Sequence, residues 1–246
     1  MRLFSTDIDG TIFNGPESAE IFAEFWNFLS ERPESPLLVY NTGRGLVDAL
    51  QLIDSTELPV PDFLISGVGT EIYRPGDGQK LEAWSDRLGH EWSVDVVQEV
   101  MSRSQQARPQ PPECQGAHKS SWFWIDADPE EIQETVARIE SRGIRVQAVY
   151  SSNRDLDLLP LRANKGNAVA WLMEHLGLSG GDVVVAGDSG NDASMYQVPG
   201  VRGVLVANAE LALVDAVSHL GHFRATKVCA AGVREGLEHH LKNPKS

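Results

Sequence analysis

The sequence predicts an α/β fold with a parallel sheet and an inserted α+β unit, on three observations. Short, continuous apolar runs alternate with stretches whose apolar residues recur at helical spacing, the pattern of strands buried on both faces between packed helices. Several runs end in polar, glycine-bearing turns. The rhythm breaks after Tyr73 and resumes near Asn164, so the middle of the chain forms something else.

Residues 3–6 read as a first strand feeding the turn Asp7-Ile8-Asp9-Gly10-Thr11. Ser18 is the expected N-cap of a helix carrying Ile21, Phe22, Phe25, Trp26 and Leu29, which Pro33 and Pro36 end. Residues 37–40 are a second strand. Leu46, Val47, Leu50 and Ile53 make another helical stripe, and residues 63–66 a third strand. Pro75-Gly76-Asp77-Gly78 then punctuates the chain. Helical segments near 92–103 precede a proline-rich link from Pro109 to Pro112. A strand at 121–125, a helix capped by Asp128 with Pro129 at its first position, and strands at 144–150 and 156–159 complete the insert. Beyond Asn164, Ala168, Val169, Trp171, Leu172 and Leu176 mark a helix ended by Gly177. Residues 183–186 are a buried strand leading to Gly187-Asp188-Ser189-Gly190-Asn191-Asp192. A short strand at 203–206 and helices at 209–219 and 230–241 come next, and residues 242–246 are expected to fray. The expected division is a core of residues 1–77 plus 158–246 and an inserted unit of 78–157.

The 246 residues are 41% hydrophobic and 23% charged, which excludes bulk disorder. No apolar stretch approaches the roughly 18 residues of a membrane-spanning helix. A net charge of −14 argues against nucleic acid and anionic membranes as partners, and requires a local cation if the substrate is an anion. Two cysteines, Cys114 and Cys229, make no disulfide framework, and the first residues lack a signal peptide's apolar core. A cytoplasmic location is expected.

In an open parallel sheet, ligands bind beyond the carboxyl ends of the strands. Three polar clusters fall there: Asp7 to Thr11, Asn41-Thr42-Gly43-Arg44, and Gly187 to Asp192; Asn164-Lys165-Gly166 opens a helix. Each has an ordinary reading alone: a solvated turn, a helix start, a surface lysine. Gly187-Asp188-Ser189-Gly190 taken alone suggests a serine hydrolase, but no partner order supports a triad. Together they bring four carboxylates (Asp7, Asp9, Asp188, Asp192) to one sheet edge. That cluster calls for a cation, and hard oxygen ligands favour Mg²⁺.

These four elements, in this order, resemble the motifs of the haloacid dehalogenase superfamily of phosphohydrolases, whose fold is a Rossmann-like core with an α+β cap in the place of the insert. The resemblance implies an Mg²⁺-dependent phosphomonoesterase. Asp7 is then the nucleophile and Asp9 the acid and base, while Thr42 and Lys165 hold phosphoryl oxygens. Asp7, the backbone carbonyl of Asp9, and Asp188 ligate the metal with Asp192 in support, and Asn191 positions the phosphate. Asp9 needs a raised pKa for this role, which nearby carboxylates would supply.

A closer resemblance is to the sucrose-phosphatases. It rests on residues 66–73 and 151–160 flanking the insert, on Asn164-Lys165-Gly166-Asn167-Ala168, and on His118-Lys119-Ser120-Ser121, after which the aromatic run is one residue longer here. It implies sucrose 6-phosphate or a similar glycoside phosphate as substrate, with Thr11, Gly43, Arg44, Lys119, Ser121 and Asn191 as candidate substrate-binding residues. It also implies a mobile lid and a monomer or small homo-oligomer. Trp122 and Trp124 either stack on the sugar or pack the insert's core. Lys119 is a substrate ligand or a surface charge, Gly67-Val68-Gly69 a tight turn, and His239-His240 a solvated helix end. A phosphomutase of the same chemistry, or a silent sugar-phosphate-binding protein, are the rival readings.

Overall fold

The computed structural model describes residues 1–151 and 153–243. Ser152, within one flank of the insert, and residues 244–246 of the tail expected to fray lie outside the described residues. The chain forms two compact units, one of Met1–Lys80 with the chain from Asn164 onward, the other of Leu81–Ala163.

The first unit opens with β1 (Leu3–Thr6), α1 (Pro16–Ser30), β2 (Leu37–Asn41), α2 (Leu46–Asp54), β3 (Phe63–Ser66), β4 (Glu71–Arg74) and β5 (Gln79–Lys80). The second holds α3 (Glu82–Gly89), α4 (Val94–Met101), β6 (Arg108–Pro109), β7 (Ser120–Phe123), α5 (Pro129–Glu140), β8 (Val146–Ser151) and β9 (Asp155–Pro160). The first resumes with α6 (Lys165–Leu176), β10 (Val183–Gly187), α7 (Ala193–Tyr196), β11 (Arg202–Leu205), α8 (Leu211–Val217), β12 (Phe223–Arg224) and α9 (Cys229–Lys242).

Among the described residues the core sheet has the order β12-β11-β10-β1-β2-β3-β4-β5. It is parallel from β12 to β3, and the β4–β5 hairpin extends it antiparallel. Leu3 stands in register with both Leu37 and Val183, so β1 sits at the centre with β2 and β10 beside it. All four residues of β1 and all five of β10 are buried, as the apolar runs require. Phe4, Leu38, Val184 and Val204 share one core with Phe22, Trp26 and Leu29 of α1 and with Val233 and Leu237 of α9. Trp26 stacks on Phe4, ring centroids 5.9 Å apart. Gly177, left-handed at φ 65°, ends α6.

In the second unit the order is β6-β7-β9-β8, antiparallel throughout. Alternation along the strands turns Trp122, Leu156, Leu158 and Val146 into a core completed by Val97 and Met101 of α4 and Ile132 and Ile139 of α5.

Some elements differ from expectation. The N-cap of α1 is Gly15, with Pro16 in its first turn; Ser18 lies inside the helix and its hydroxyl donates to the Ile12 carbonyl. Val47 and Leu50 are exposed, and Ala49 and Ile53 are the buried face of α2. The helices α3 and α7 and the strands β4, β5, β6 and β12 were not expected. Five of these six elements are only two or four residues long, too short for periodicity to register. The expected seams at 77/78 and 157/158 compare with 80/81 and 163/164 here, because β5 pairs with β4 and β9 runs on to Pro160. Among the described residues no helix is long and apolar enough to cross a membrane.

Candidate active site

Parallel strands that end together deliver their following residues to one edge. β1 delivers Asp7, β2 delivers Thr42, and β10 delivers Asp188, while Lys165 begins α6. Asp7 and Lys165 are both buried, and the Lys165 ammonium donates to Asp7 Oδ1 at 2.7 Å and to Asp192 Oδ1 at 2.6 Å. Thr11 Oγ1 donates to Asp188 Oδ1 at 2.9 Å. The other oxygen of Asp192 accepts the backbone N–H groups of Asp188 and Ser189, both at 3.0 Å, which fixes the turn after β10.

Two left-handed glycines near the site are also required by close approach. A Cβ on Gly10, already left-handed at φ 74°, would stand 2.2 Å from Asp188 Oδ2. One on Gly69 would stand 2.4 Å from the backbone oxygen of Asn164, the N-cap of α6. The turn Gly67-Val68-Gly69, with φ of 57°, 60° and 88°, is thus the tight turn expected, and it packs against the start of the helix that bears Lys165.

Oxygens of Asp7, Asp188 and Asp192 lie within 4.8 Å of one another. Burial pushes Asp7 up to about 8; Lys165 pulls against this, and Asp192 and Asp188 add to it. Asp188 is pushed to about 6, first by burial. Three carboxylates face one ammonium, so charge is left uncompensated at full ionisation. A divalent cation that prefers oxygen fits both the donor set and the charge.

Asp9 stands apart from this cluster. Its carboxylate is half exposed and takes a two-pronged pair from Arg44, Nε to Oδ2 and Nη2 to Oδ1, both at 2.7 Å. Arg44 reaches Asp48 as well, at 2.9 Å, and these bonds, that to Asp9 foremost, hold it firmly charged. The carboxylates expected to act on Asp9 are therefore not its partners; a guanidinium is. Thr42 is buried, its Oγ1 accepting the Arg44 N–H at 3.1 Å. Gly43 comes next in the chain, partly exposed; Asn191 is exposed, its Oδ1 accepting from Ser189 Oγ at 3.3 Å.

In the second unit, Lys119 pairs with Asp157 at 3.0 Å and is largely buried, which corrects the surface-charge reading. Ser121 Oγ donates to the same carboxylate at 2.6 Å. Trp122 and Trp124 are buried in the helix-backed core, 6% and 4% exposed, so the core-packing reading holds and stacking on a sugar does not. Phe123, of opposite parity on β7, carries the Arg154 guanidinium 5.5 Å above its ring. Cys114 and Cys229 are free thiols.

Four positioning residues went unremarked in the sequence. Asp48 holds Arg44, and its i+4 spacing was a readable signal. Asp157 holds Lys119 and Ser121, and the alternation of residues 155–158 marks it as off the apolar face. Asn208 donates to the Gly10 carbonyl at 2.8 Å, and Ser194 Oγ accepts the Gly166 N–H at 2.9 Å. Neither of these last two carries a local signature.

A model of the family described as sucrose-6F-phosphate phosphohydrolase matches residues 1–241. The mannosylfructose-phosphate phosphatase of Agrobacterium fabrum is 38% identical over all of this chain and 99% of its own length. Sucrose-phosphatase 2 of Nicotiana tabacum is 31% identical, and there the match spans 98% of this chain but 59% of the plant protein. The solved sucrose-phosphatase of Synechocystis, in complex with sucrose and phosphate, superposes with a TM-score of 0.84 at 33% identity, over 97% of this chain and 98% of that one.

Proposed function

This chain belongs to the sucrose-6F-phosphate phosphohydrolase family and is a phosphoric monoester hydrolase of the haloacid dehalogenase superfamily; on that premise we propose that it hydrolyses a glycosylfructose phosphate with Mg²⁺, through a phosphoenzyme on Asp7. One observation carries the substrate class. The family and the relative matched along its full length are named for two different disaccharide phosphates, and both sugars are a hexose joined to fructose.

The chain's own groups suit the chemistry. Phosphoryl transfer needs positioning and charge neutralisation more than covalent machinery. The Asp7 carboxylate attacks phosphorus as the bond to the sugar oxygen breaks, and Asp9 gives that oxygen a proton. Asp9 then takes a proton from water, whose oxygen attacks the phosphoenzyme, releasing phosphate and restoring Asp7. Lys165, already bonded to Asp7, and Thr42 hold the phosphoryl oxygens, and Asn191 orients them. Thr11 and Gly43 complete the phosphate's surroundings. Asp7, Asp188, the Asp9 carbonyl and, in support, Asp192 would hold Mg²⁺, which when bound neutralises charge on the phosphoryl group. Arg44 holds the Asp9 carboxylate aside, so Asp9 acts as an acid only after that pair opens. Lys119 and Ser121, organised by Asp157, recognise the sugar in the second unit.

The test is phosphate release over a panel of sucrose 6F-phosphate, mannosylfructose phosphate, hexose phosphates and an aryl phosphate. A clear kcat/KM preference for the disaccharide phosphates is expected. Equal rates on hexose phosphates would defeat the substrate claim, and an isomeric sugar phosphate as product would favour the mutase reading.

A further inference from the structure

Asn208 lies just past the carboxyl end of β11, and its side-chain amide is spent on two backbone groups far apart in sequence. Nδ2 donates to the Gly10 carbonyl and Oδ1 accepts the Cys229 N–H, both at 2.8 Å. Turning the amide over would set donor against N–H and acceptor against carbonyl, so its orientation is fixed. The backbone on either side is tied down as well. Ala207 N–H donates to the Lys227 carbonyl at 2.9 Å, and Glu210 N–H to the Asp188 carbonyl at 2.7 Å.

What stands at the Gly10 end bears on two of the groups assigned to the metal. Gly10, left-handed at φ 74°, has the freest backbone of any residue type and must be held by its bonds. Its N–H donates to the Phe13 carbonyl at 2.9 Å, and its carbonyl is held by Asn208. The Gly10 N–H and the Asp9 carbonyl belong to one planar peptide, so what fixes Gly10 also fixes the direction of that carbonyl. Asp188 rests on the same segment: Gly10 packs against its Oδ2 too closely for a Cβ, and Thr11 Oγ1 donates to its Oδ1. At the other end Cys229 opens α9, itself left-handed at φ 46°, and the N-cap residue Val228 offers no side-chain acceptor. Asn208 supplies that acceptor from outside the helix. The helix is a fixed body, with Val233 and Leu237 in the core and His240, expected to be solvated, only 6% exposed.

Resting on the metal reading given above, we propose that Asn208 is a positioning residue for the metal site: it ties Gly10 to the fixed start of α9 and so sets how tightly the acidic edge binds Mg²⁺. Groups that orient a ligand without touching the metal govern affinity in this way, because a ligand left free to turn must be ordered when the ion binds. Asn208 is exposed, so removing its amide opens no cavity in the core. What is lost is the tether between Gly10 and Cys229.

The test is titration calorimetry of the metal-free full chain with Mg²⁺ alone. The parent should bind, and Asp188→Asn, which removes a ligand, should lose that heat and so place it at the acidic edge. Asn208→Ala should weaken Mg²⁺ by about ten- to a hundredfold, the range for groups that orient metal ligands. The Mg²⁺ concentration for half-maximal turnover of an aryl phosphate should rise by a similar factor. Should that variant fail to fold by circular dichroism, Asn208→Leu has nearly the volume of asparagine, lacks both hydrogen-bonding groups, and should weaken Mg²⁺ likewise. An unchanged Mg²⁺ affinity in the folded variant overturns the proposal. So does turnover lowered by one factor at every Mg²⁺ concentration, which would make Asn208 structural only. A parent that binds no Mg²⁺, or a heat undiminished in Asp188→Asn, instead overturns the metal reading, and this proposal with it.

Discussion

The two units carry their polar groups in opposite ways. In the core, β1 and β10 are buried along their whole length, and chemistry is confined to the residues just past their ends. In the second unit, α4 and α5 pack with one face of the sheet, and Ser121 and Asp157 alternate with the apolar residues of β7 and β9. An edge site gathers short contiguous motifs. A face site gathers single residues two apart, on strands distant in sequence. The first arrangement suits invariant phosphoryl chemistry, and the second suits a surface that can be retuned one residue at a time.

The largest effect expected lies at the edge. Lys165→Met should remove the ammonium that bridges two buried carboxylates. Turnover should fall by at least about a thousandfold, and stability by about 3–5 kcal/mol, since both acids lose their counter-charge. Denaturant unfolding and single-turnover rates measure the two losses. A variant of parental stability would mean that this lysine does not hold the edge together.

Next is the metal. Chelation should abolish turnover of sugar phosphate and aryl phosphate alike, and Mg²⁺ should restore both, because the acidic cluster belongs to the core alone. Ca²⁺, with looser and higher coordination, should restore little. Selective loss on the disaccharide phosphate would move the metal's role from the core's chemistry to substrate choice.

The second unit is sharpened by a contrasting pair. Trp122→Ala should cost about 3–5 kcal/mol in the stability of that unit, as a buried aromatic truncation does. Lys119→Ala should cost less stability than that, since Ser121 still donates to Asp157, but raise KM for the disaccharide phosphate about tenfold or more, with little effect on an aryl phosphate. If Lys119→Ala impairs both substrates equally, the Lys119–Asp157 pair is structural.

The smallest effect concerns the far side of the core. Burial holds His240 near 4, below its ordinary value. Between about pH 6.5 and 4 the unfolded chain therefore binds more protons than the folded one, so stability falls as pH falls through that window. His240→Gln should remove on the order of 1–3 kcal/mol of that dependence. Thermal melts of parent and variant across the window, in phosphate-free buffer, provide the check. Parallel curves would show that His240 is not held neutral.

This contrast also explains how much was legible in sequence. The core strands announced themselves as apolar runs, and Asp7, Lys165, Asp188 and Asp192 sit in contiguous motifs that the fold brings to one edge. The Arg44–Asp9 pair was not foreseen, because a side chain's preference among several nearby charges depends on geometry that spacing does not encode. Trp122 and Trp124 stayed ambiguous, since alternation separates two faces without saying which face meets the helices. Asn208 and Ser194 act across 198 and 28 residues of chain, with no local pattern to reveal them.

The central claim is that the phosphoryl group passes through Asp7. Rapid acid quenching of Asp9→Asn with sucrose 6F-phosphate, and then peptide mass spectrometry, tests it directly, because slowing the water step lets a phosphoenzyme accumulate. The account predicts a phosphate adduct on the peptide that contains Asp7, lost in Asp7→Asn together with turnover. An adduct on another residue, or turnover retained by Asp7→Asn within about tenfold of the parent, would contradict it.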